Sequence, residues 1–124
     1  MIGQAEFNEL KRFEATVYNW HLGTESYSEH KTFGDLYGNV HDAIDTLLEG
    51  MMGRDGVKPR LKAEFSAPEY VSFQGCWEEM EKFVAFCKSG LWKVCEAETS
   101  PDVANTISDL IGSVNRAKYL ASLK

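Results

Sequence analysis

Apolar residues recur along this chain at alternating steps of three and four, the spacing of one face of an α-helix. Phe7, Leu10, Phe13, Val17 and Trp20 keep that step and predict a first helix over residues 5 to 20, with Glu6, Glu9, Lys11 and Arg12 on the opposite face. The cleanest period follows: Phe33, Leu36, Tyr37, Val40, Ile44, Leu47, Leu48 and Met51. It predicts a second helix from Ser28, read as an N-cap with Glu29 in the favourable first turn, to Gly50 or Gly53. A third helix is expected from Gly75 to Ala97, with Trp77, Met80, Phe83, Val84, Cys87, Leu91, Val94 and Cys95 inward. Ser100-Pro101-Asp102 then reads as N-cap, first helical position and first-turn acid. The fourth helix it opens runs toward Ser122, burying Val103, Ile107, Leu110, Ile111, Val114 and Ala117.

Residues 53 to 73 break the period with Gly53, Gly56, Pro59 and Pro68. About 20 residues at roughly 3.3 Å each reach over about 60 Å. A helix of roughly 24 residues is only about 36 Å long. The segment is therefore long enough to cross a whole bundle, whereas helices three and four are joined by a short turn and should be antiparallel. Four helices with short, long and short connections predict an all-α fold: a ferritin-like four-helix bundle with a long crossover between helices two and three. Residues 1–124 are read as one domain.

Composition narrows the function classes. At 124 residues with 44% hydrophobic content the chain can fold on a core of its own, and it is not disordered. No apolar run approaches the roughly 20 residues that span a bilayer. The N-terminal stretch is polar and amphipathic, unlike a signal peptide, so the cytoplasm is the expected place. A net charge of −6 with no basic arm argues against nonspecific DNA binding, which draws on clustered Lys and Arg. Cys76, Cys87 and Cys95 are odd in number, form no CxxC and sit in apolar helical positions. They read as small buried hydrophobes, not as ligands of a clustered zinc site.

The candidate chemistry lies between Trp20 and Glu49, which holds all three histidines. His30, Gly34, Gly38, His41, Asp45 and Glu49 form one stripe of helix two, beside its apolar stripe. On helix one, Glu14, Tyr18 and His21 share a stripe; it could carry ligands, but for Glu14 and Tyr18 an ordinary polar shoulder is favoured. Two glycines inside a helix cost about 1 kcal/mol each relative to Ala, and close approach of another helix is their simplest use. Imidazoles with carboxylates suit iron, and imidazole is neutral enough near pH 7 to bind it. His30 and Glu49 lie about 28 Å apart along one straight helix and cannot share an ion there. A second copy running antiparallel about a two-fold would bring them together.

The stretch WHLGTESYSEHKTFGDLYGNVHDAIDTLLE resembles the signature of Dps, the starvation-induced miniferritins. That signature has an aromatic–His pair ending helix one, matched by Trp20 and His21. A second His opens helix two, with an Asp fifteen residues on and a Glu four further, matched by His30, Asp45 and Glu49. Three departures stand out. The segment between His21 and His30 is shorter than in Dps, the usual Asp four residues after the second His is Gly34 with Asp35 out of register, and helices three and four carry no ExxH pair. The resemblance implies a metal-binding protein with Fe(II) bound or oxidised at an intersubunit site. His21, His30, Asp45 and Glu49 would be its ligands, with His41 as an additional one and Gly34 and Gly38 at the helix contact. It implies a homo-oligomer, at least a two-fold dimer, and iron as the metal; zinc, or no metal, is the alternative. HLGTESYSEH and the closing VANTISDLIGSVNRAKYLASLK also resemble a family of short tailed-phage-encoded ferritin-like proteins of unknown function. That likeness implies the second alternative, a non-catalytic oligomeric bundle that kept the fold and lost the metal site.

Overall fold

In the computed structural model residues 1–123 are described, and among them every regular element is helical. Helix α1 spans Gln4–Gly23 and α2 spans Tyr27–Asp55. Helix α3, Phe73–Phe86, runs on through a π-helical turn, Cys87–Leu91, into the single turn α4, Trp92–Val94. A short 3₁₀ turn, Ala97–Thr99, leads to α5, Pro101–Ser122. The all-α expectation holds, and the four helical rods fall where the periods place them.

The ends differ from the sequence reading in ways local chemistry explains. The N-cap of α2 is Ser26, not Ser28: its Oγ accepts from the Glu29 N–H at 3.2 Å. Helix α2 passes Gly50 and Gly53 and stops only where Gly56 takes a left-handed conformation, φ 68°. Helix α3 opens two residues before Gly75, because Ser72 Oγ accepts from the Gly75 N–H at 3.1 Å. At the start of α5, Pro101 and Asp102 stand as expected, but the Ser100 hydroxyl makes no cap bond. It accepts instead from Arg54 Nη1 at 2.8 Å, while the same nitrogen donates to the Cys95 carbonyl at 2.7 Å. Arg54 thus ties the end of α2 to the turn before α5.

Residues 56–72 contain no regular secondary structure and cross the bundle. The crossover meets α1 in order along its length. The Gln4 side chain donates to the Lys62 carbonyl, Asn8 Oδ1 accepts from the Glu64 N–H, and Asn19 donates to the Pro68 carbonyl. Tyr70 arrives beside Gly23 and donates its hydroxyl to Glu29 at 2.8 Å. Helix α3 therefore starts at the end of the bundle where α2 starts, and α2 and α3 run parallel. Helix α2 packs between α1 and α5, and α3 lies against α5. The rings of Phe13 and Phe83 stack at 3.8 Å, joining α1 to α3. Arg12, held by Glu9 of its own helix, adds an ion pair to Glu79 across the same seam.

The core is continuous and drawn from all four rods. Leu10, Phe13, Val17 and Trp20 meet Phe33, Leu36, Val40, Ile44, Leu47 and Met51. Met80, Phe83, Cys87 and Leu91 join Ile107, Leu110 and Val114 from the other side. Burial of these apolar side chains is the dominant stabilising term, about 1.5–3 kcal/mol for each large one. All three cysteines are free and buried within this core, as the sequence pattern implied. Burial pushes the thiols of Cys76 and Cys87 up to about 12 and that of Cys95 up to about 11.

Candidate functional site on the outer face of helices α1 and α2

The crossover meets α1 through Gln4, Asn8 and Asn19, while Tyr18 of α1 and His30 and His41 of α2 stay exposed on the outer α1/α2 seam. All three histidines sit on it. His21 is in the last turn of α1 and His30 in the first turns of α2, either side of the Thr24–Ser26 turn. Their imidazoles stack at 4.0 Å with 16° between the planes. His21 Nδ1 donates to the His30 carbonyl at 2.6 Å, and His30 Nδ1 donates to the His21 carbonyl at 2.7 Å. A carbonyl can only accept, so both rings carry hydrogen on Nδ1. In the neutral form that leaves Nε2 of each ring with its lone pair. The arrangement is a reciprocal clasp that stitches the start of α2 onto the end of α1.

Gly34 makes the clasp fit. A Cβ at this position would stand 2.8 Å from Cε1 and Nδ1 of His21. Within the chain, then, the group that comes close to Gly34 is an imidazole of α1, not another helix. Gly38, one turn on, is different: nothing lies within 4 Å of where its Cβ would be.

The seam continues away from the clasp as a row of rings. Tyr18 lies 5.9 Å from His21 and 4.9 Å from Tyr37, and Tyr37 lies 6.1 Å from His41. His41 Nδ1 donates to Glu14 Oε2 at 3.3 Å, and Lys11 pairs with the other oxygen of Glu14 at 2.7 Å. Glu14 is only 7% exposed, so it is a partnered buried carboxylate and not a polar shoulder. Tyr18, by contrast, remains 42% exposed. The stripe of Glu14, Tyr18 and His21 is visible in the sequence, but the Glu14–His41 and Tyr18–Tyr37 contacts across the seam are not.

Of the candidate ligands, the fold joins His21 to His30 and leaves Asp45 and Glu49 exposed farther along α2. His41 belongs to the Glu14 contact instead. Among the described residues, no three His, Cys, Asp or Glu side chains of one chain come together to hold an ion. What the arrangement offers chemically is two preoriented imidazoles, a buried carboxylate paired with Lys11 and His41, and a partly exposed row of rings.

Fold and seam together define a class: an all-α bundle with parallel α2 and α3, whose first two helices are clasped by histidines at their shared turn. Residues 21–120, from the first histidine of the clasp to the last turn of α5, match the model of a family of unknown function, DUF5856, and the chain belongs to that family. It is also similar to an uncharacterized 14.6 kDa protein from the mobD-ri intergenic region of Enterobacteria phage T4. The two are 26% identical over 115 residues, which is 93% of this chain and 84% of the relative. No solved structure matches the chain. Among the described residues no helix is long and apolar enough to cross a membrane.

Proposed function

We propose that this protein is a non-catalytic, self-associating helical bundle, phage-encoded like its relative, that joins two copies through the outer α1/α2 face. The observation that carries this reading is the ring row of His21, Tyr18, Tyr37 and His41, in which Tyr18 and His41 are exposed and His21 and Tyr37 only half-buried. Aromatic side chains combining an apolar body with a polar tip are the type enriched at protein interfaces. The parallel α2 and α3 joined by a crossover fit a ferritin-like arrangement. An acidic chain without a basic arm fits protein partners rather than DNA, and the host cytoplasm is the compartment this reading implies.

A metal-binding reading of the Dps kind stands beside it, and one observation favours it. Histidines that bind metals usually donate their second ring nitrogen to a carbonyl or carboxylate, and both members of the clasp do so. Iron, or zinc, would then be held by His21 and His30 of one copy with Asp45 and Glu49 of another. Light scattering on the purified chain, with metal analysis of protein never exposed to chelator and an Fe(II) oxidation assay, separates the readings. A dimer without bound metal supports the interaction module. A dimer carrying stoichiometric iron that is lost in His30→Ala supports the metal site. A monomer under all conditions refutes both.

A further inference from the structure

The exposed stripe of α2 has a symmetry of its own. From His30 through Gly34, Gly38, His41 and Asp45 to Glu49 the steps are four, four, three, four and four. That order is the same from either end. A second copy laid antiparallel about a two-fold axis between Asn39 and Val40 meets the stripe in register. His30 then faces Glu49, Gly34 faces Asp45, and Gly38 faces His41. In this register the carboxylate end of each helix lies on the imidazole end of the other and not on the other's carboxylates. In the parallel register His would face His and carboxylate would face carboxylate, which opposes association.

The two glycines differ in what they can receive. Gly34 is already covered by the His21 ring of its own chain, so Asp45 of a second copy meets that ring. Gly38 is bare backbone in the middle of a helix of 29 residues. His41 is shaped to enter such a gap. Its side chain is 48% exposed, Nδ1 is held by Glu14, and the ring stacks on Tyr37 at 21°.

We propose that Gly38 is the socket for the His41 imidazole of a second copy, the contact occurring twice about the two-fold at the centre of an antiparallel α2–α2 interface. The inference rests on the self-association proposed above and names its central contact. Because a Cβ at Gly38 would meet no other atom of its own chain within 4 Å, a side chain there can be added without a clash at its root, and Leu is a better helix former than Gly.

The test is sedimentation velocity across a concentration series, with circular dichroism on the same samples. The unsubstituted chain should be a dimer. Gly38→Leu should weaken association about tenfold or more, the scale of a side chain that will not fit a packed contact, with helicity unchanged. Gly112→Leu places the same side chain at an exposed glycine on α5, where a Cβ likewise meets nothing within 4 Å, and it should associate as the parent does. Combining Gly38→Leu with His41→Ala should restore much of the association, because each Leu then occupies the space the opposing ring vacates. A dimer insensitive to Gly38→Leu, or a double variant no better than the single, overturns the socket while leaving self-association standing. A parent chain that stays monomeric overturns both.

Discussion

The two faces of α2 are built on opposite terms. Its inner face presents Phe33, Leu36, Val40, Ile44, Leu47 and Met51, each at most 2% exposed, on a helix that packs between α1 and α5. Its outer face presents His30, His41, Asp45 and Glu49, all exposed, with two glycines between them. The inner face is complete within one chain. The outer face is partly finished: the clasp and the Glu14–His41 pair engage its polar groups near α1, while a Cβ at Gly38 would meet nothing within 4 Å and Asp45 and Glu49 stay exposed. The outer face is where the proposed second copy would sit, and the contrast can be broken experimentally one residue at a time.

The largest effect belongs to the inner face. Phe33→Ala removes a fully buried ring that lies 5.2 Å from Trp20. It should lower the unfolding free energy by about 3–5 kcal/mol, read from urea denaturation followed by far-ultraviolet circular dichroism. A loss below about 1 kcal/mol would mean the core near the clasp is loosely packed, against the close-packed norm for interiors.

Alkaline pH should be felt next, and again only through the interior. The three buried thiols stay protonated in the folded chain up to about 11 or 12, whereas in the unfolded chain they ionise near 9. Above pH 9 the unfolded state therefore releases protons that the folded state retains, and stability falls as pH rises. The contribution is whole below pH 9 and is lost as pH rises toward 11–12. Urea midpoints at pH 7.5 and pH 10 should differ in that direction. Replacing the three cysteines with Ala should flatten the dependence between them. A midpoint that rises on going to pH 10 would contradict the burial of these thiols.

Smaller again is the clasp. His30→Ala deletes one hydrogen bond and one stacked ring at an exposed turn, where water can satisfy the freed His21 carbonyl. The expected cost is about 1 kcal/mol. The α2 helix should survive it, since its first turn is held independently by Ser26 Oγ on the Glu29 N–H. A loss as large as that of Phe33→Ala would make the clasp a folding element instead of a surface stitch.

Much of the inner face was legible because burial leaves a period in the sequence, and Phe33 through Met51 obey it. The π-helical turn was not read, although a signal was present. Phe83, Cys87, Leu91 and Cys95 are four apart three times over, and all four are fully buried. Each four-residue step over-rotates an α-helix by about 40°, so three of them should drift off the core by about 120°. The wider turn at Cys87–Leu91 absorbs the drift. The N-cap of α2 was missed by two residues because Ser26 and Ser28 are the same residue type, and the better clue was Glu29 three places after Ser26. The outer face was legible only as a stripe. That His21 would lie on Gly34, or that Glu14 would be buried against His41, depends on how α1 and α2 turn toward each other. No one-helix pattern carries that angle.

The smallest effect separates the two glycines of the stripe, and its sign is what matters. Exposed glycine inside a helix is less favourable than Ala by about 0.5–1 kcal/mol, because Gly leaves more backbone freedom to lose on folding. At Gly38 nothing opposes that gain, so Gly38→Ala should raise the stability of the dissociated chain by about that amount. At Gly34 the added methyl would stand 2.8 Å from a ring held by a hydrogen bond and by stacking on His30. Displacing it costs about 1–3 kcal/mol, the usual range for overfilling a packed site. The net effect of Gly34→Ala should therefore be a loss of about 1 kcal/mol, opposite in sign to its neighbour one turn away. Thermal or urea unfolding at concentrations low enough to keep the chain dissociated reads the pair directly. Removing the ring in a Gly34→Ala, His21→Ala double variant should relieve the clash: its loss should be smaller than the sum of the two single losses. If both alanine variants shift stability in the same direction, His21 does not rest on Gly34, and the account of why a glycine stands there fails.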